Sequence, residues 1–306
     1  MSVDLPLVSV ILPAYNAESF IEDALNSVYR QSISDYEIVA VDDGSTDRTH
    51  GIIENWANAH PSIHVKIMCQ ENKGIGGARN AGICASSGRY IAFLDADDVW
   101  LETKLENVMD HFKQSPNLDL ACHDEWIEET GRQIRRNYCG PNKSYHDLLY
   151  KGNTVSTSAT VVKKEKALKV GGFSEDMSFN GVEDYDFWLR LAKINCSFAY
   201  INDVLGVYRV FGQGITSKIA EHCQHSINVV NSHFDEWQPK TPLYKYLMRK
   251  RRADIIRGGG RAFMRSGNHK TAHQYFLTAL KCDLFNWKSW VFVFLNGARI
   301  KSRFLS

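Results

Sequence analysis

The chain has no apolar stretch near the roughly 20 residues that a bilayer-spanning helix needs; its densest late run, Trp290 to Leu295, is six residues long. No transmembrane helix is expected. Any Cys-x-x-Cys pair is also missing. The seven cysteines, Cys69, Cys84, Cys122, Cys139, Cys196, Cys223 and Cys282, are scattered and odd in number, which argues against a zinc knuckle or a disulfide framework. The opening Met-Ser-Val-Asp-Leu-Pro lacks a basic segment followed by an apolar one, so no secretory leader is expected and the localisation expected is cytoplasmic. Net charge is nearly absent, at +1, yet residues 240–306 hold 15 Lys+Arg against 2 Asp+Glu, leaving 21 against 33 before them. A basic tail of this kind meets an anionic surface or docks on the acidic remainder.

What is present is ordinary for a globule. At 306 residues, 44% hydrophobic, 23% charged and 11% aromatic, the chain falls outside the disordered and fibrous classes. Its length suits one large domain and a smaller appendage. Val8 to Pro13, Glu37 to Val41, His64 to Met68 and Tyr90 to Leu94 are short apolar runs. Between them lie helical patterns over Ala17 to Gln31, with Asn16 as a candidate cap, Arg48 to Ala59 and Gly76 to Ser86. This alternation predicts an α/β fold with a mainly parallel, doubly wound sheet.

Ligands of such sheets bind beyond the carboxyl ends of the strands. The segments there are Pro13-Ala-Tyr-Asn16, Asp42-Asp-Gly-Ser45 and Asp95-Ala-Asp-Asp98. Crowded carboxylates repel one another unless a cation intervenes, and oxygen-only ligands suit Mg²⁺ or Mn²⁺ beside a diphosphate. Asp95 and Asp97, read as an extended Asp-x-Asp, share one side and one metal. Asp98 reads instead as the cap of a helix beginning near Trp100. The glycines of Asn72-Lys-Gly through Gly82 open a helix beside Lys73 and Arg79, which suits a phosphate-bearing ligand.

The later sequence predicts a strand over Leu118 to His123, a hairpin through Trp126 to Arg136, and strands at Ser158 to Val162, Ser197 to Ile201 and Gly206 to Val210. A helix follows Glu183-Asp184, whose acids favour a first helical turn. A boundary near residues 212–240 divides residues 1–215 from a basic, helical region, 216–306. There Gly267 to Leu280 resembles one tetratricopeptide-type helix, and His222, Cys223, His225 and His233 read as helix-surface residues.

In order, Val8 to Asn16, Val41-Asp-Asp-Gly-Ser-Thr-Asp47, Asn72-Lys-Gly through Ala78-Arg-Asn80, Phe93-Leu-Asp-Ala-Asp-Asp98, Gly171-Gly-Phe173 and Glu183-Asp184 resemble the motifs of family-2 glycosyltransferases over residues 5–212. The resemblance implies the GT-A nucleotide-sugar-binding fold and an inverting, metal-dependent transfer from a nucleotide-sugar, UDP-linked, in bacterial surface-polysaccharide assembly. It places Pro13 and Tyr15 beside the nucleotide, Asp43 on the base and Arg79 near the nucleotide. Asp95 and Asp97 serve ribose, diphosphate and metal, Asp184 is the general base, and Glu183 is the neighbouring alternative. Two family features are missing. No histidine follows Tyr208-Arg209, where Phe211 stands, and no Gln-x-x-Arg-Trp segment of processive synthases occurs, which implies transfer of one sugar at a time.

The partners expected are the donor, a glycan or lipid-linked acceptor, a membrane face for the basic aromatic tail from Trp287 to Arg303, and a second copy in a homo-oligomer. Nucleic acid is not expected, because Arg249 to Arg252 come without a nucleic-acid motif. A nucleotidyltransferase would want a glycine- and lysine-rich first loop, and a non-catalytic carbohydrate or scaffold module would not need Asp95, Asp97 and Asp184.

Overall fold

The computed structural model describes residues 5–129, 131–211, 215–236 and 241–297. Two compact units emerge. One is Met1–Leu148, Gly152–Asp176 and Glu183–Phe211; the other is Leu149–Lys151, Met177–Val182 and Gly212–Ser306.

In the first unit, β1 (Val8–Ala14), β2 (Tyr36–Asp42), β3 (His64–Cys69) and β4 (Tyr90–Phe93) run parallel in the order β3-β2-β1-β4. Helices α1 (Ile21–Tyr29), α2 (Thr49–Ala59) and α3 (Gly74–Ala85) connect them. Every residue of β1, β2 and β4 is buried, as expected of strands covered on both faces, which read as unbroken apolar runs. The edge strand β3 is only partly buried.

Beyond β4 the sheet becomes mixed. β8 (Thr160–Lys163) runs antiparallel to β4 and to β6 (Leu120–Glu129), and β9 (Phe198–Val210) parallel to β6. β5 (Val99–Trp100) pairs with β9, and β7 (Arg132–Asn137) with β6. The two strands predicted over Ser197 to Val210 are one strand of 13 residues. Ile201 pairs with His123 and Val204 with Asp124, so Asn202 and Asp203 bulge while the strand continues, a local kink rather than an end.

Helix α3 lies tight against its neighbours because its glycines allow it. A Cβ on Gly82 would stand 2.5 Å from Ile11 Cγ2, and one on Gly76 2.5 Å from Ser174 O. Gly76 and Gly82 thus serve packing.

Two capping expectations are corrected. α1 begins at Ile21 without a side-chain cap, and Asn16 binds the second loop instead. Asp98 precedes β5, not a helix; α4 (Lys104–Gln114) starts after Thr103. Buried Asp98 accepts from Ser158 Oγ at 2.5 Å and from the Arg209 N–H at 3.0 Å, so a partner 60 residues away outcompetes the local helix. The remaining helices are α5 (Tyr145–Lys151), whose last three residues belong to the second unit, α6 (Lys164–Lys169) and α7 (Glu183–Lys193).

The second unit carries α8 (Ile215–Asp235), α9 (Pro242–Arg265), α10 (His269–Cys282) and α11 (Trp287–Gly297). Phe263, Met264, Ala272, Phe276 and Phe292 form its core, with the Phe276 and Phe292 rings stacked 5.2 Å apart. Asn268 caps α10 by accepting the Thr271 N–H at 3.2 Å, close to the predicted helix start. Cys223 and His233 are buried, which corrects the surface reading: their face of α8 packs inward. Among the described residues no helix is long and apolar enough to cross a membrane.

Candidate active site

The loops after β1 and β2 interlock. Asn16, held at φ 49°, accepts the Thr46 N–H on its Oδ1 at 2.8 Å and donates its own N–H to Ser45 Oγ at 3.0 Å; Asn tolerates this left-handed backbone better than most residues. The Asp43 N–H donates to Ala14 O at 2.8 Å. Buried Asp43 uses Oδ1 to accept Gln70 Nε2 at 2.7 Å and the Lys73 N–H at 2.9 Å. Pro13, buried in β1, and Tyr15, 52% exposed, flank Ala14, whose carbonyl takes the Asp43 N–H.

The second cluster is ionic. Arg79, on α3, is 2% exposed and forks two ways: Nη2 lies 2.6 Å from Asp95 Oδ1 and Nη1 2.6 Å from Glu183 Oε1. Its guanidinium also lies over the Phe173 ring, 5.1 Å from the centroid, and Phe173 stacks on Phe187 at 4.2 Å. The Gly-Gly-Phe and Glu-Asp motifs therefore meet under one arginine. Asp95 and Asp97 do not lie on an extended segment, as the spacing suggests: the Asp98 N–H donates to Asp95 O at 3.0 Å, closing a turn. Burial and the Asp95 charge raise the Asp97 carboxyl above its ordinary range, against the pull of Arg209 and Arg79.

Asp184 and Glu183 separate cleanly. Glu183 is buried against Arg79. Half-buried Asp184 takes weaker neutral donors: Asn153 Nδ2 at 3.2 Å and Thr157 Oγ1 at 3.4 Å on Oδ2, and the Tyr185 N–H at 2.6 Å on Oδ1. Desolvation and the adjoining Glu183 charge push its pKa up to about 7, against the pull of Arg79. A carboxylate poised there exchanges a proton near neutrality.

Sequence reasoning missed several groups behind these acids. Ser158 Oγ both donates to Asp98 and accepts the Asp95 N–H at 3.1 Å, pinning the acidic turn. Glu125, on β6, is 1% exposed, and desolvation lifts it to about 7. Fully buried Lys104 lies 3.4 Å from the Trp100 ring centroid, and burial drives its pKa far down. Nothing in a single sequence marks a lysine or glutamate as buried, because both types are mostly exposed. Where a family histidine is missing, the Phe211 ring packs tilted against Phe20, centroids 4.2 Å apart.

Comparison with known proteins places the chain in a family. The family model "Glycosyl transferase family 2" matches residues 9–169, and "Glycosyl transferase family group 2" residues 90–296. The chain is 31% identical over 212 residues to TuaG of Bacillus subtilis, named for teichuronic acid biosynthesis, covering 69% of this chain and 82% of that one. To the Escherichia coli UDP-Glc:alpha-D-GlcNAc-diphosphoundecaprenol beta-1,3-glucosyltransferase WfgD it is 31% identical over 218 residues, covering 69% and 80%. It spans only 28% of an Escherichia coli chondroitin synthase, at 35% identity over 207 residues and 65% of this chain. Among solved structures, S. aureus TarS 1-349 in complex with UDP-GlcNAc aligns at a TM-score of 0.64 and 17% identity, over 95% of this chain and 92% of that one. The Pyrobaculum calidifontis mannosyltransferase PcManGT, in complex with GDP-Man and Mn²⁺, aligns at 0.63 and 20%, over 97% and 87%. The fold is the GT-A glycosyltransferase fold, and the chain belongs to glycosyl transferase family 2.

Proposed function

We propose that this enzyme is an inverting glycosyltransferase that moves one sugar at a time from a UDP-linked donor to a glycan or lipid-linked acceptor in bacterial surface-polysaccharide assembly. Residues 1–215 are the catalytic domain and 216–306 its basic helical region. The observation that carries the reading is the convergence of Arg79, Asp95, Asp97 and Asp184, with Asp184 held near neutrality. The names of WfgD, with its UDP-glucose donor and diphosphoundecaprenol acceptor, and of TarS with UDP-GlcNAc support the donor and acceptor classes.

Tyr15 stacks on the base, and Asp43, with Oδ1 committed to Gln70 and Lys73, offers Oδ2 to it. Oxygen-only donors, with Asp97 holding its proton more tightly through burial and the nearby Asp95 charge, fit a hard divalent cation, Mn²⁺ or Mg²⁺; the Mn²⁺ complex of PcManGT supports this. Asp95 and Asp97 would hold the ion, which when bound supplies positive charge to the donor diphosphate. Asp184 takes the proton of the acceptor hydroxyl as its oxygen bonds the anomeric carbon, while the bond from that carbon to the diphosphate oxygen breaks on the opposite face. Back-side displacement inverts the centre. Incubation with UDP-sugars and a lipid-diphosphate-linked sugar is expected to release UDP and extend the acceptor; no transfer from any such donor would contradict the reading.

The base must be ionised, so kcat/KM is expected to fall roughly tenfold per pH unit below a pKa of about 7 and to level above it. A rate independent of pH from 5 to 8, measured under subsaturating donor and acceptor, would contradict the base assignment.

The proposed membrane contact rests on α11. Trp287, Trp290, Val291 and Phe294 are all exposed, Phe294 by 74%, and their spacing aligns them in one stripe. Leu284 and Phe285, just before the helix, are also exposed, and Lys288 lies on the helix; Arg299, Lys301 and Arg303 fall outside the described residues. An aromatic, basic face of this kind suits an anionic interface. In flotation with anionic vesicles, Trp290→Ser with Phe294→Ser is expected to cut binding at least about tenfold. Unchanged flotation would refute the contact.

A further inference from the structure

The first turn of α2 brings His50 over the carboxyl ends of β2 and β3, where three kinds of ligand atom meet. His50 Nδ1 lies 3.2 Å from Cys69 Sγ and 3.6 Å from Asp42 Oδ2, and the three atoms all fall within 4.8 Å of one another. The sheet sets part of this directly, because Asp42 stands opposite Cys69 in the β2–β3 register. One helical turn further on, Glu54 Oε1 lies 3.2 Å from His50 Nε2. None of these side chains takes part in the glycosyl-transfer chemistry above.

The spacing suits one small ion. Donors bonded to zinc at roughly 2.0–2.3 Å with tetrahedral angles stand roughly 3.4–3.6 Å apart, close to the two separations seen here. Thiolate, imidazole and carboxylate together are a borderline-soft set that Zn²⁺ favours, whereas Mg²⁺ and Mn²⁺ prefer oxygen alone. Metal-bound histidines characteristically donate the other ring N–H to a carboxylate, the place Glu54 occupies. Asp42 Oδ1 is already committed to the Ser45 N–H at 2.9 Å, which leaves Oδ2 for an ion. His50 is 38% exposed at its side chain and Cys69 is exposed, so an ion can enter from solvent and water can complete a fourth position.

We propose that Asp42, His50 and Cys69 form a zinc-class metal site, distinct from the Asp95 and Asp97 pair, with Glu54 orienting His50. Binding joins Oδ2, Nδ1 and the Cys69 sulfur to the ion and releases the thiol proton to solvent. Because Asp42 adjoins Asp43, the ion would brace the strand ends beneath the base-binding loop.

The test uses the full chain, freed of metal by chelation and titrated with Co²⁺ and then Zn²⁺, with no donor present, so it does not depend on the transferase activity. One equivalent of Co²⁺ is expected to give a thiolate-to-cobalt charge-transfer band that Zn²⁺ bleaches. Cys69→Ser removes the band, while Cys84→Ser, at another exposed thiol, keeps it. Glu54→Gln weakens the affinity about 10- to 100-fold. Zn²⁺ is expected to raise the Tm of the parent chain but not that of Cys69→Ser, with metal-free melts of both coinciding, so that lost binding is not lost folding. Absence of the band, or a band that survives Cys69→Ser, would overturn the site.

Discussion

Asp184→Asn is expected to lower kcat/KM for sugar transfer by about 10²- to 10⁴-fold, the usual contribution of a positioned base, with donor affinity nearly unchanged. The amide keeps the size of the side chain, and its one carbonyl oxygen can still accept the Tyr185 N–H while its NH₂ faces the Thr157 hydroxyl, which can accept, but it cannot take a proton. Glu183→Gln behaves differently, because Glu183 is the buried partner of Arg79: its loss appears as lower stability and a disturbed site. Steady-state kinetics paired with donor binding distinguish the two. Full activity in Asp184→Asn would end the assignment of this residue as the base.

Arg79→Met is expected to destabilise the fold by about 3–5 kcal/mol, the cost of leaving buried Glu183 and half-buried Asp95 without their cation, and to lower Tm by about 10 °C. The arginine carries one nitrogen to Asp95 and another to Glu183, so its removal strands both acids. Lysine is a poor substitute, since a single ammonium cannot span the two directions of the fork. The double variant Arg79→Met with Glu183→Gln is expected to recover part of the loss, because one uncompensated charge has gone. Thermal melts of the three variants check this, and a wild-type Tm in Arg79→Met would show that the acids ionise elsewhere.

The parallel half of the sheet was legible because β1, β2 and β4 are buried on both faces and leave continuous apolar runs. Asp43, Asp95 and Asp184 were legible only as parts of an ordered set of motifs; spacing alone gave Asp-x-Asp the wrong backbone, a shared extended face where a turn exists. Asp98 shows why. An acid ahead of a helical pattern and an acid pairing with Ser158 look identical in sequence, and the choice lies 60 residues away. The same holds for Glu125 and Lys104, whose burial depends on the β6–β9 pairing and on Trp100. On α11 the mixture of aromatics and cations was readable, but which side faces outward follows from Phe292 stacking on Phe276.

The decisive experiment is a calorimetric titration of UDP and GDP into the full chain with and without Mn²⁺. One nucleotide is expected to bind one site per chain, at least about tenfold more tightly with the ion, and Asp43→Ala is expected to weaken it, since the proposed site puts the base at the loops after β1 and β2 and the diphosphate at Asp95 and Asp97. No binding of either nucleotide in the presence of Mn²⁺ would contradict a nucleotide-sugar site at these strand ends.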